Sequence, residues 1–258
     1  MMTYKYPYEL RENRTAGAVI MEITDGAWRL EIPPGPARRY RLAQLDDYSS
    51  LRRNLFPWKP EVKLSLQARV SHVHHAGTWG FGFWNDPFAM GFLTGLNGLR
   101  LPALPDAAWF FYGSSESFLS IRDDLAGNGL TAGIFKSPGW RGLKIGMGLP
   151  ILPFLFFHKV SRWMRRRVAE ILIQDSQSIV VDTTQWHKYE LFWRQEATSF
   201  LVDGKQVLET TASPRGPLGL VLWIDNQAAA WKPDGQIGYR LLQGENGAWM
   251  EVKNIQVH

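Results

Sequence analysis

The sequence predicts an all-β protein, a two-sheet antiparallel sandwich carrying one amphipathic helical insert. Three observations lead there. Residues 62–73 alternate apolar and polar side chains with period two, the pattern of a strand with one buried face. Asp25-Gly26 and Asp203-Gly204 sit between such runs, and both dipeptides accept the positive φ values of tight hairpin turns. An aromatic content of 13%, with 12 Trp, suits pleated surfaces on which flat rings pack across neighbouring strands. At 45% hydrophobic and 21% charged, 258 residues can bury a substantial core. No Ser/Gly/Pro-rich linker divides them, so residues 1–258 read as one domain with an insert at about 143–174.

Taken in order, residues 18–32 read as two short strands around Asp25-Gly26, closed off by Pro33-Pro34-Gly35-Pro36. Residues 41–47 read as a further strand and 51–60 as a loop around Phe56-Pro57-Trp58. After the strand at 62–73, His74-His75-Ala76-Gly77 leads into Thr78-Trp79-Gly80-Phe81-Gly82-Phe83-Trp84. There Trp79, Phe81 and Phe83 share one face, and Gly80, Gly82 and Trp84 share the other. Glycines on one face let a ligand or a neighbouring ring approach the backbone, and ring packing is the favoured reading. Residues 87–105 form a long Gly- and Leu-rich connection, and 107–112 return as a strand. Further strands are predicted at 186–193, 198–202, 205–209, 218–224 and 250–257.

Residues 143–174 break the rhythm. The apolar run 149–157 is well short of the roughly 20 residues a membrane-spanning helix needs. Beyond it Val160, Trp163, Met164, Val168, Ile171 and Leu172 recur at helical spacing, with Lys159, Arg162, Arg165 and Arg166 on other faces. Three readings follow: the Trp163–Met164 face packs on the sandwich with its arginines solvated, the helix lies on an anionic membrane surface, or it covers an apolar pocket.

Charge sharpens this. The formal net charge is +5, yet between residues 136 and 175 eight Lys or Arg stand against two acids, so this segment alone supplies +6. The basicity is local, which argues against nucleic-acid binding over a broad surface. The absence of Cys excludes disulfides and thiolate chemistry. The first residues lack an apolar secretory run, so a cytoplasmic protein, free or peripheral to a membrane, is expected. No cofactor motif is present.

Three strings carry a resemblance: Gln185-Trp186-His187-Lys188-Tyr189-Glu190-Leu191-Phe192-Trp193, Thr198-Ser199-Phe200-Leu201-Val202-Asp203-Gly204-Lys205, and Met250-Glu251-Val252-Lys253-Asn254-Ile255-Gln256-Val257. With the Gly77–Trp84 string, they resemble the laminarinase-like glycoside hydrolases of family 16 and their lectin relatives, over about two thirds of the chain. The resemblance implies a concanavalin A-like jelly roll. It also implies a pair of carboxylates roughly 5 Å apart, set by that family on one strand as E-x-D-x-x-E or E-x-D-x-E. No such string occurs: the corresponding region reads Ala108-Trp109-Phe110-Phe111-Tyr112-Gly113-Ser114-Ser115-Glu116.

The candidate acids are Asp86, Glu116 and Asp225, each near a strand end, where anchoring hydrogen bonds would be the plainer role. Trp84, Trp109, Trp223, Asp225, Asn226 and Trp231 are the candidate ligand contacts, because an aromatic platform beside a carboxylate and an amide can hold a sugar or an apolar ring with one polar handle. His72, His74 and His75 have no matching acid-rich string, and no metal is assigned. No Gly-x-Ser-x-Gly elbow supports a Ser-His-Asp triad. The leading expectation is a non-hydrolytic protein binding a carbohydrate or glycoconjugate in a concave aromatic groove. The alternative is an isomerase, cyclase or atypical hydrolase acting on a lipid or terpenoid under the basic insert.

Overall fold

In the computed structural model, residues 9–23, 26–87, 103–138 and 157–258 are described. The apolar run at 149–156, most of the 87–105 connection, Asp25 and the first eight residues lie outside them.

Strands β1 (Arg11–Arg14), β2 (Val19–Ile23), β3 (Ala27–Ile32), β4 (Leu42–Asp46), β5 (Val62–Val70), β6 (Thr78–Trp84), β7 (Ala107–Gly113) and β8 (Gly129–Lys136) precede a long helix, α1 (His158–Ile171). After it come β9 (Ile173–Ser178), β10 (His187–Trp193), β11 (Thr198–Val202), β12 (Lys205–Thr210), β13 (Gly219–Asp225), β14 (Gln227–Trp231), β15 (Ile237–Leu241) and β16 (Ala248–Val257). The first sheet runs β1-β4-β13-β6-β7-β8-β9 and the second β12-β11-β10-β5-β16-β3-β2, while β14 and β15 form a separate hairpin. Both large sheets are antiparallel throughout, giving the predicted jelly-roll sandwich.

Alternation explains the core. Trp79, Phe81 and Phe83 of β6 and Phe110 and Tyr112 of β7 turn toward Leu64 and Leu66 of β5, Tyr189 and Trp193 of β10 and Met250 of β16. Rings interlock across the gap: Tyr189 meets Phe81 and Phe110 edge-on at 5.1 and 5.0 Å between centroids, and Phe110 meets Phe200 at 5.2 Å. On the opposite side of the second sheet, fully buried Glu251 receives Arg29 Nε at 2.8 Å and Arg69 Nε at 2.7 Å, and the two guanidiniums lie over Trp249 and Trp186.

The predicted strands appear within a few residues of their expected bounds. One correction concerns the histidines: β5 ends at Val70, so His72 and His74 stand on a loop and share no strand face. A second concerns α1. Its buried positions are Ser161 and Arg165, whereas Trp163 is 54% exposed. The helix docks through an arginine: Arg165 Nε donates to Trp231 O and Nη2 to Ser120 O, each at 2.9 Å, and Nη1 pairs with Asp123. The expected solvated arginine is thus the anchor. Lys159, Arg162, Arg166 and Arg167 remain exposed. Among the described residues no helix is long and apolar enough to cross a membrane.

Candidate functional site

The face of the first sheet turned away from the second carries its own aromatic cluster. It is built by the alternate residues of four neighbouring strands: Leu42 on β4, Val221 and Trp223 on β13, Trp84 on β6, and Ala107, Trp109 and Phe111 on β7, continued by Phe135 on β8. Trp84 and Trp223 stack with planes 6° apart and centroids 6.2 Å apart, and Trp109 lies 5.9 and 5.8 Å from them. Phe111 touches Trp109 at 5.4 Å and Trp223 at 5.7 Å.

Glycines make room for these rings. A Cβ on Gly80 would fall 2.6 Å from the Trp223 ring, and one on Gly82 2.7 Å from Trp109 Cβ. The glycine face of β6 therefore serves ring packing, as the favoured reading had it.

The rings are covered. Trp84, Trp109 and Trp223 are only 9, 8 and 7% exposed, with Tyr48, Phe56 and Leu172 in the same cluster and Val168 of α1, Leu119 and Ile121 packed against it. Trp223 Nε1 donates to Thr78 Oγ1 at 3.0 Å, but the buried Trp84 indole N–H has no acceptor among the described residues. Other polar side chains nearby are engaged: Gln174 Oε1 accepts the Ile121 N–H at 2.8 Å, and Asp46 Oδ2 accepts Asn13 Nδ2 at 2.8 Å and Gln44 Nε2 at 2.9 Å.

Asp225 ends this face and is 1% exposed. Its Oδ1 accepts Thr78 Oγ1 at 2.8 Å and the Gln227 N–H at 3.1 Å, and Oδ2 lies 3.4 Å from Tyr40 Oη. Burial pushes its carboxyl up to about 7, against the pull of those hydrogen bonds. Its carbonyl meets His75 Nε2 at 2.6 Å.

The sequence candidates separate into groups. Trp84, Trp109 and Trp223 converge. Asn226 does not join them: Oδ1 accepts the Arg41 N–H, and Nδ2 donates to Arg39 O and Leu242 O. Trp231 holds the helix instead, its Nε1 donating to Ser161 Oγ at 3.0 Å.

Asp225 and Asp86 do not form a carboxylate pair. Asp225 pairs with Thr78 at one end of β6, while Asp86 follows the other end, roughly 20 Å away by strand rise. Asp86 is buried in the left-handed region at φ 48°, its carbonyl accepting Arg53 Nη2 at 2.7 Å. Glu116 is half-buried in the turn after β7, 3.2 Å from Ser115 Oγ. Among the described residues no group of three or more His, Asp or Glu could hold a metal ion.

Sequence reasoning passed over Phe111, Phe135, Tyr48 and Thr78. Alternation on β7 does pair Phe111 with Trp109, but Tyr48 and Thr78 join only through the folded register.

No protein-family model and no curated protein matches the chain. Among solved structures it is similar to a glycoside hydrolase family protein from Mycobacterium thermorestibile, at 10% identity and TM-score 0.50, over 93% of this chain and 79% of that one. It is also similar to the catalytic domain of an endo-1,3-beta-glucanase (laminarinase) from Thermotoga petrophila, at 13% identity and TM-score 0.48, over 94% and 80% of the two chains. At such identities the likeness is one of architecture, and the chain has the concanavalin A-like jelly-roll fold of the family 16 glucanases.

Proposed function

We propose that this chain is a non-hydrolytic binding protein whose ligand is a small apolar ring compound held against the outer aromatic face of the first sheet. One observation carries the reading: the outer face of β7 is Ala107, Trp109 and Phe111, an aromatic strip in the region where the glucanase scheme calls for carboxylates. A retaining or inverting mechanism needs two acids about 5–10 Å from each other, flanking the scissile bond. This strip supplies neither, and its rings, covered in part by Val168 and Leu172, offer a hydrophobic ligand apolar contact where it replaces that cover.

The choice of an apolar ligand over a glycan follows from the polar inventory. A sugar ring needs several free donors and acceptors around it, and Thr78, Asp46 and Gln174 are already engaged. The unpartnered Trp84 N–H suits a ligand with one acceptor, such as a ring ketone or alcohol. Val168 and Leu172 border the cluster, so α1 acts as part of its cover.

Titration of intrinsic tryptophan fluorescence tests this with a panel of terpenoid and steroid alcohols and ketones beside laminari-oligosaccharides. Saturable quenching by a member of the first group, weakened at least tenfold in Trp109→Ala, is expected, together with no reducing-sugar release from laminarin. Binding of oligosaccharides alone would restore the glycan reading, and laminarin hydrolysis would overturn the non-hydrolytic one.

A further inference from the structure

At the Asp225 end of the first sheet a separate cavity of about 150 Å³ is lined by Arg41, His72, His74, His75, Asn226 and the turn at 243–246. Its size admits a few waters or one small polyatomic ion. Arg41 is 1% exposed, yet its guanidinium makes one hydrogen bond, from Nη2 to Leu242 O at 2.8 Å. Nε and Nη1 have no acceptor among the described residues. Burial lowers the pKa of this guanidinium, and among the described residues no carboxylate offsets that. A buried, unneutralised cation with idle donors is costly to a folded protein unless something supplies the missing acceptors.

The surroundings fix the group in place. Arg41 N–H donates to Asn226 Oδ1 at 2.8 Å, and Asn226 N–H donates back to Arg41 O at 3.3 Å. Gly35 and Gly244 exchange two main-chain hydrogen bonds at 2.9 and 3.1 Å beside it. A Cβ on Gly35 would come within 2.6 Å of Nη1, so glycine is what admits the guanidinium here.

The charge around the cavity is positive or latent. His75 is pushed down to about 4, first by burial and then by His72 and Arg41, so it is neutral at pH 7. With its Nε2–H donated to Asp225 O, its Nδ1 carries no proton in that state. His72 Nδ1 is 2.7 Å from Ser71 Oγ, and His74 is exposed at the rim. Glu245 is the one acid in the lining and is exposed, with no ion pair to Arg41 among the described residues.

We propose that this cavity binds a small tetrahedral oxyanion, phosphate or sulfate, free or as the ester group of a larger molecule, with Arg41 as its charge partner and the His72–His74 imidazoles at its mouth. A multiply charged oxyanion supplies acceptors to one edge of the guanidinium and the charge that the buried cation lacks. A chloride ion also accepts hydrogen bonds, but with one charge on one atom it matches the planar fork less well than an oxyanion does.

The test is calorimetry and imidazole NMR at constant ionic strength with inorganic phosphate, sulfate, phenyl phosphate and chloride. Saturable binding of one of the three oxyanions, weakened at least tenfold in Arg41→Gln, is expected, with chloride inactive. In the wild-type protein the same ligand should shift the His74 and His75 ring signals along the binding isotherm, a readout that stands even where Arg41→Gln fails to fold. Tighter binding of phenyl phosphate than of phosphate marks an ester as the ligand, and the reverse marks the free ion. No saturable binding by any of the three, or unchanged affinity in a folded Arg41→Gln, overturns the site.

Discussion

At the residue scale, buried ionisable groups are the most sensitive reporters of this arrangement. Asp225 and Asp47 are both pushed up to about 7 by burial, well above the unfolded carboxyl value. Each holds its proton longer in the native state than in the unfolded chain. The stability they contribute is therefore complete below about pH 4 and is lost as pH rises to 7. His75 works in the opposite sense. Its folded value of about 4 lies below the unfolded one, so its contribution is present above about pH 6.5 and fades as pH falls to 4. Denaturant unfolding between pH 4 and 8 should show Asp225→Asn with less loss of stability on the alkaline side than the wild type; an identical pH slope would count against a protonated native Asp225.

Glycine spacing gives a second residue-scale expectation. Gly80→Ala would force a Cβ to within 2.5 Å of Phe110 O and 2.6 Å of the Trp223 ring, so neither backbone nor ring can yield cheaply. A loss of about 2 kcal/mol is expected from urea titration, in the range for overpacking a filled site. On the far side of the sandwich, Glu251→Ala leaves Arg29 and Arg69 without their shared acceptor and should cost about 2–3 kcal/mol by the same measurement.

At the element scale, α1 behaves as a cover tied by a buried charge. Arg165→Met keeps the apolar stem but removes the hydrogen bonds to Trp231 O and Ser120 O, leaving both carbonyls in search of donors. Hydrogen exchange across residues 158–171 should accelerate at least tenfold in that variant, with the sandwich strands unaffected; uniform protection would show that apolar contact alone docks the helix. The burial of Arg165 was not legible beforehand. A period-3.6 pattern ranks faces by hydrophobicity, and here the face toward the protein joins Ser161 and Arg165 to Val168, with Trp231 and Ser120 offering Arg165 its acceptors from distant parts of the chain.

Strands divide in the same manner. β5, β6, β10 and β11 were readable because each buries an alternating apolar row. β1 has no apolar residue and exists through its register with β4, while β9 is polar beyond Ile173 and exists through its register with β8. β8 alternates Leu130, Ala132 and Ile134 with Gly133 and Phe135, too small and too apolar on both faces for period two to stand out.

For the whole molecule, the sandwich and the three converging tryptophans were legible from alternation, while the separation of Asp225, Asn226 and Trp231 from them was not. Sequence places Trp223 and Asp225 on one face, but only the fold shows that Thr78 and Gln227 engage the carboxylate and that Ser161 occupies the Trp231 indole. What emerges is a jelly-roll sandwich whose outer face is a ring cluster in which, among the described residues, the buried Trp84 N–H is idle. The most direct test is native mass spectrometry of the purified protein, followed by organic extraction. A bound apolar compound of a few hundred daltons is predicted in the wild type and reduced or absent in a folded Trp223→Ala. Recovery of the wild type empty, with laminari-oligosaccharides binding and terpenoid or steroid compounds failing to bind, would contradict the account.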